Sequence, residues 1–165
     1  MPSAMWYRIV KRERATRDDV LRSRGGRFQG EPDEGPMTYV AESLRTAWRE
    51  VTAHLGMPAN PRAFRAWRVT ATGARLVDLR EAAQQARFHI TAHDLAAVPA
   101  PPTCATAAGR VRRDGEGYHG LIYPSVRNPP GGVCVVLFLE RTDALIELET
   151  VGEDEWEGFA REGDG

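Results

Sequence analysis

Arg27, Tyr39 and Glu50 fall within one stretch, Gly26 to Glu50, which reads GRFQGEPDEGPMTYVAESLRTAWRE. The three types complement one another. An arginine offers a planar fork that suits a phosphate in a way lysine's point charge does not, a tyrosine offers an apolar ring with a polar tip, and a carboxylate can stabilise developing positive charge. Three local elements must hold them. Pro32-Asp33-Glu34-Gly35 carries turn chemistry, Thr38 to Ala41 reads as a short strand, and Ser43 can cap a helix that runs to Leu55. Gly56 then stops that helix, and Pro58 prevents its return. Leu44, Ala47, Trp48, Val51 and Leu55 recur at helical spacing and predict the buried stripe. At 100° per residue, Glu50 falls roughly 120° from the centre of that stripe, on the flank it shares with Ser43 and His54. A carboxylate there, just behind a strand, can point into a cleft. The plainer reading is a solvated charge that pairs with His54 at i,i+4.

A second stretch changes the balance. Gly120 to Arg127 reads GLIYPSVR, followed by NPPGG and then by VCVVLFL up to Leu139. A short apolar strand breaks at Pro124 and exposes Ser125 at its end. The chain then loops through proline and glycine and re-enters as a second buried strand. Strand ends and loops on a rigid sheet are where sites tend to lie. With these residues together, the sequence resembles the RES domain family, named for its arginine, glutamate and serine. The family pattern has an N-terminal strand with an arginine, a GRW/F(N) element, a "tY.a.s...A..E" strand and helix, and a late "G..YpSvR...G...vlF" element. Here the pattern is met by Tyr7-Arg8-Ile9-Val10, Gly26-Arg27-Phe28-Gln29, and Thr38 to Ser43 with Ala47 and Glu50. It is completed by Gly120 to Arg127 and Val136-Leu137-Phe138. The pieces follow in order across about residues 5 to 140. The main departure is Gln29, where the family usually has asparagine.

At 165 residues the chain makes one domain, long enough to bury ~70% of its unfolded surface. Hydrophobic residues at 42% and charged ones at 27% describe a soluble globular protein. No apolar run approaches the ~20 residues a membrane span needs. The start MPSAMWYRIVKRER lacks the apolar core of a signal peptide, so a cytoplasmic location is expected. Cys104 and Cys134 sit in apolar contexts and read as buried thiols, not as a disulfide or metal site. His89 and His93 are i,i+4, but without an HExxH frame no metal is expected.

Net charge is -1, unevenly distributed. Residues 1 to 30 hold eight basic and three acidic side chains, whereas 140 to 165 hold ten acidic and two basic. Such asymmetry can mark a face for an anionic ligand or a charged partner. Lys11 is the only lysine among 22 basic residues, so any single arginine is weak testimony. Nucleic-acid binding would want clustered basics with stacking aromatics. Trp6, Tyr7 and Phe28 come nearest, but the alternation from Met5 to Val10 makes better strand core, and no direct nucleic-acid binding is expected.

The middle of the chain reads as architecture. Ala66 to Thr72 and Arg75 to Leu79 suggest two strands about Gly73, and Asp78 with Glu81 offers a capping box for a helix through Ala86. His93 to Ala97 suggests a helical turn, and Thr103 can cap a helix containing Cys104, Ala107, Ala108 and Val111. Ala144 to Val151 alternates as a last strand. Residues 152–165 are acidic and Gly-rich, a frayed tail on a 1–151 domain unless Trp156 and Phe159 dock. Strands outnumber helices and do not alternate in the βαβ manner. The expected class is therefore α+β, a single domain with a mostly antiparallel, split or curved sheet and flanking helices.

The resemblance implies more than the residues do alone. It implies the fold of the ADP-ribosyltransferase toxins, with NAD as substrate in a cleft between two sheets and no metal. It also implies a toxin of a toxin-antitoxin pair that cleaves the nicotinamide–ribose bond by hydrolysis or phosphorolysis. A protein mono-ADP-ribosyltransferase, or a non-catalytic partner-binding module, stands as the alternative. In that frame Glu50 stabilises an oxocarbenium-like transition state, and Arg27, with Arg8, neutralises the pyrophosphate. Tyr39 stacks on the nicotinamide ring or ribose, and Ser125 holds the nicotinamide side. The implied partner is an Xre-like helix-turn-helix antitoxin, with room for a homodimer inside that complex. Arg8, Arg24 and Arg27 would receive an acidic segment of the partner in place of the phosphates.

Overall fold

The longest ladder sets the architecture. β1 (Ser3–Lys11) runs antiparallel to β3 (Phe64–Thr72), in register from Ser3 opposite Thr72 to Lys11 opposite Phe64. β7 (Ile146–Thr150) covers the other edge of β3. A second group forms separately. β2 (Met37–Ala41) pairs antiparallel with β6 (Val133–Phe138), β6 with β5 (Gly120–Pro124), and β5 runs parallel to β4 (Leu76–Asp78). The strand order is β4-β5-β6-β2-β1-β3-β7. Among the described residues the two groups join only between β1 and β2, where Tyr7 opposite Ala41 is the one matched pair. This is the α+β, mostly antiparallel and split sheet that the sequence leads one to expect, with a parallel pair at one edge. The computed structural model describes residues 3–23, 25–30, 35–56 and 59–162. Pro32, Asp33 and Glu34 of the expected turn, Arg24 and Pro58 lie outside the described residues.

Both faces of the sheet are covered, and β6 shows why. Its sequence VCVVLF sends Cys134, Val136 and Phe138 into one core cluster and Val135 and Leu137 into the other, as the two-residue period of a strand requires. On the first face lie α2 (Leu44–Leu55), α5 (Pro102–Arg113) and α7 (Glu153–Glu162). The second face is closed by α1 (Arg17–Leu21) and α6 (Leu139–Thr142) through Leu21 and Leu139. The short α3 (Ala82–Arg87) and α4 (Ala92–Ala96) complete the connection between β4 and α5.

Helix α2 begins and ends where its sequence directs. The Ser43 hydroxyl accepts from the Thr46 N–H, and Gly56 closes the helix with a left-handed φ of 69°, a conformation glycine adopts without penalty. Its stripe needs one correction. Ala47 is buried and Leu44, Trp48 and Val51 pack against the core, but Leu55 is 41% exposed, and Thr46 is fully buried instead.

Several boundaries differ for local reasons. Asp78 does not enter a capping box with Glu81. Its carboxylate accepts from Arg80 Nε at 2.8 Å, Nη2 at 2.7 Å and the Arg80 backbone N–H at 3.0 Å, and Glu81 itself stands at the start of α3 with no side-chain cap bond. The capping box forms at α4 instead, between Thr91 and Asp94. Helix α5 starts with Pro102, whose missing N–H is no loss in a first turn, so Thr103 is not its cap. The strands on either side of Gly73 do not pair with each other; β4 joins β5. The last strand opens at Ile146, after a 3-10 turn over Asp143–Leu145.

The acidic segment after β7 is not frayed over Glu153–Glu162, because both of its aromatics dock. Trp156 is 2% exposed, lies edge-on to Trp48 with ring centroids 5.5 Å apart, and stacks with Phe159 at 5.7 Å. Its indole N–H donates to the Pro61 carbonyl at 3.1 Å, and Arg12 grips Glu153 with two bonds of 2.8 Å. Removing a buried tryptophan costs about 3–5 kcal/mol in a typical core. The helix is therefore part of the domain.

Candidate active site

The split in the sheet creates the site. Where the ladder between β1 and β2 stops, the side chain of Arg8 takes its place. Arg8 Nη1 donates to the Tyr39 carbonyl of β2 at 2.8 Å, Nη2 to the Arg22 carbonyl at 3.3 Å, and Nε to the Val20 carbonyl. One guanidinium thus ties β1, β2 and the end of α1. Burial, with help from the charge of Arg14 and against the pull of Tyr39, lowers its pKa to about 10. It remains a cation at neutral pH.

Arg27 occupies the turn between Gly26 and Phe28. Phe28 is fully buried and meets Tyr123 edge-on, with centroids 4.7 Å apart. The Arg27 fork reaches past α4, donating from Nη2 to the Ala97 carbonyl at 2.7 Å and from Nη1 to the Asp94 carbonyl at 3.3 Å. Tyr39 braces this turn from below. Its hydroxyl accepts from the Phe28 N–H at 3.0 Å, and a Cβ on Gly26 would stand 2.3 Å from Tyr39 Cζ. Only glycine lets the chain pass so close over the ring. Burial pushes the Tyr39 phenol up, so it stays neutral.

Glu50 approaches from α2 and Ser125 from the end of β5. The Ser125 hydroxyl donates to Glu50 Oε1 at 2.5 Å and accepts from the Arg127 and Asn128 N–H groups at 3.3 and 3.2 Å. A hydroxyl has one proton and two lone pairs. With both lone pairs engaged, its proton is directed at Glu50. Ser125 is 4% exposed, buried against the helix and not displayed at a strand end as its sequence context suggested. The Cys134 thiol lies 3.7 Å from the same carboxylate oxygen. Burial and then the Glu50 charge push its pKa far up. This cysteine is therefore a protonated neighbour and not a nucleophile.

These parts face a cleft of about 710 Å³ lined by Arg8, Arg14, Arg27, Tyr39, Glu50, Tyr123, Arg127 and Cys134, among others. That volume falls in the usual range for small-molecule sites. Leu55 and Val98 line it too, and both are exposed. Among the described residues lining the cleft, Glu50 is the one carboxylate, against four arginines. Among the described residues, no carboxylate comes within ion-pair distance of those four. The cleft can thus receive an anionic ligand beside one negative group. Arg8, Arg27, Tyr39 and Glu50 all line it, and Ser125 reaches it through Glu50. Arg14 was not foreseen, since in so arginine-rich a chain its type carried no signal. Gln29, the departure from the family pattern, has its side-chain oxygen buried with no hydrogen-bond donor among the described residues. Among the described residues no cluster of three histidine, cysteine or acidic side chains could hold a metal, and both cysteines are free and buried.

The family model described as RES domain matches residues 5–157. The chain belongs to the RES domain family. In structure, it is similar to a chain in the crystal structure of the M. tuberculosis MbcT-MbcA toxin-antitoxin complex, with a TM-score of 0.68 at 17% identity. The match covers 95% of this chain and 88% of that one. At that identity the likeness establishes the fold, so this RES domain shares its α+β architecture with a protein of a toxin-antitoxin complex. No curated protein matches the chain in sequence. Among the described residues no helix is long and apolar enough to cross a membrane.

Proposed function

We propose that the chain is the toxin of a toxin-antitoxin pair and acts by cleaving the nicotinamide–ribose bond of NAD. The observation that carries this reading is the charge layout of the cleft: one carboxylate, pre-oriented by a serine hydroxyl, facing arginines that no other carboxylate among the described residues neutralises. NAD presents a matching layout, with a negative pyrophosphate at its middle and, one ribose away, a cationic nicotinamide at one end. Arg27, whose fork retains donors beyond those given to Asp94 and Ala97, and Arg8 hold the pyrophosphate. The ribose then lies over Glu50. As the bond from C1′ to the nicotinamide nitrogen breaks, its electron pair leaves with nicotinamide and positive charge grows on the ribose. The Glu50 carboxylate stabilises that charge, and Ser125 fixes the carboxylate's direction. An acceptor oxygen then forms the new bond at C1′: water does so with release of its proton to solvent, and phosphate does so through an anionic oxygen with no proton lost.

Family membership and the fold support the toxin reading, and the structural neighbour comes from a complex with an antitoxin. A partner of the Xre-like helix-turn-helix type would reach the cleft with an acidic segment and meet the same arginines. The test is to incubate the purified protein with NAD and resolve the products, with and without phosphate. Release of nicotinamide is expected, with ADP-ribose or its phosphorylated form as coproduct. ADP-ribose attached to a protein would redirect the reading to a transferase. Intact NAD in the presence of folded protein would leave only a binding module.

A further inference from the structure

The loop that carries Ser125 is held to α2 by side chains that line no part of the cleft. Thr46 is fully buried in the first turn of α2. Its hydroxyl donates to Glu42 Oε1 at 2.9 Å and accepts from Asn128 Nδ2 at 2.8 Å and from the Ser43 hydroxyl at 3.1 Å. Asn128 Oδ1 in turn accepts from Arg49 Nη1 at 2.5 Å. The second Glu42 oxygen accepts from the Val133 N–H at 2.8 Å. The direction of the bonds at Asn128 is fixed. An arginine can only donate, so the oxygen of the Asn128 amide must face Arg49 and its nitrogen must face Thr46. The threonine's lone pairs are then occupied, and its proton goes to a carboxylate that only accepts. Asn128 is also the residue whose backbone N–H donates to the Ser125 hydroxyl.

We infer that Thr46 and Asn128 are positioning residues for Glu50, acting through Ser125. By pinning the Asn128 backbone they keep one lone pair of the Ser125 hydroxyl filled, which leaves its proton only one direction, toward Glu50. Without the brace, the Gly132 N–H bond to the Asn128 carbonyl at 3.0 Å and the Ser125 N–H bond to the Gly132 carbonyl at 2.8 Å still close the loop, but the Asn128 N–H loses its fixed aim and the hydroxyl gains freedom to point elsewhere. The carboxylate then loses its fixed donor. The kinetic consequence rests on the proposed NAD cleavage, whereas the hydrogen-bond brace itself does not.

The test compares Thr46→Val, which keeps the shape and removes the hydroxyl, with Thr46→Ser, which keeps the hydroxyl, and with Asn128→Ala on the loop. Two readings are taken. In amide hydrogen exchange, Thr46→Val and Asn128→Ala should speed exchange at residues 127 and 128 by about tenfold, the worth of one ordinary hydrogen bond. Thr46→Ser should exchange like the parent. In nicotinamide release, kcat should fall by a similar factor in the first two variants with KM for NAD unchanged, and Thr46→Ser should restore it. Asn128→Ala keeps the test open should Thr46→Val fail to fold. Parent-like exchange and kcat in Asn128→Ala would overturn the inference, as would a loss of kcat in Thr46→Ser equal to that in Thr46→Val. A parent protein that leaves NAD intact would sink the proposed reaction, while the exchange data would still decide whether the brace exists.

Discussion

The two flanks of the cleft are built on different principles. On one side Glu50 and Ser125 bond directly to each other, side chain to side chain, at 2.5 Å. On the other side Arg8 and Arg27 bond to main-chain carbonyls of segments distant in sequence. The carboxylate flank can lose its charge without losing its frame, because helix α2 is capped and packed independently of Glu50. The arginine flank cannot be separated from the fold so cleanly. Arg8 stands where a strand ladder is missing, so it serves as both structural tie and cation. Charge for function and hydrogen bonds for stability are thus divided on one flank and shared on the other.

The sharpest way to break this comparison is Glu50→Gln. The substitution keeps size and a hydrogen-bond acceptor, so Tm should stay close to that of the parent. Nicotinamide release should fall by ~100-fold or more, the scale seen when a charge aimed at a transition state is removed. Turnover near that of the parent in the folded variant would remove Glu50 from the mechanism. A large drop in Tm would instead show that the carboxylate flank carries stability as well.

Lysine in place of each arginine separates tie from cation on the other flank. Arg8→Lys keeps the charge but cannot span three carbonyls, so stability should drop by about 2–4 kcal/mol as most of the charged hydrogen bonds go. Denaturant unfolding measures this. Arg27→Lys should leave the fold intact, since its two carbonyl contacts tie the turn only to the end of α4, but NAD affinity should fall about tenfold when the fork is lost. Calorimetry reads the second effect. Equal stability losses in the two variants would erase the distinction between them, and unchanged affinity in Arg27→Lys would place the pyrophosphate elsewhere.

Sequence reading located much of this site because its elements announce themselves locally. Ser43, Gly56 and the alternation of β6 specify helix and strand with nearest-neighbour chemistry; the helix phase places Glu50 only on a flank, and the resemblance to the family pattern singles it out. The separation of the two sheet groups was legible only as a class, since which strand joins which depends on contacts far apart in the chain. Three features had no local signal. Thr46 looks like a surface residue of a helix start, yet burial and three partners make it a network centre. Arg8 is marked by the family pattern as a cation, but only the missing ladder reveals that it also ties β1, β2 and α1. Ser125 follows a proline break that suggested display, while the fold turns it inward to Glu50. In each case a long-range partner, invisible in the local pattern, decides what the side chain does.

Tyr39 offers the finest division between ligand contact and internal brace. If its ring serves only to stack on the ligand, Tyr39→Phe keeps that face and should change nothing. The structure gives the hydroxyl its own task, accepting the Phe28 N–H at 3.0 Å and so holding the turn that carries Arg27. Without it that amide is left unpaired beside a fully buried side chain. The expected cost is about 1 kcal/mol in stability, with NAD affinity lowered by a few-fold as the Arg27 turn loosens, and kcat at saturating NAD unchanged. Unfolding curves and calorimetry on the same preparation provide both numbers. A loss of kcat with affinity intact would assign the hydroxyl to the chemistry at the ribose. No change in either would mean that Phe28 and its contact with Tyr123 hold the turn unaided, and that the arginine flank is more rigid than its single braces imply.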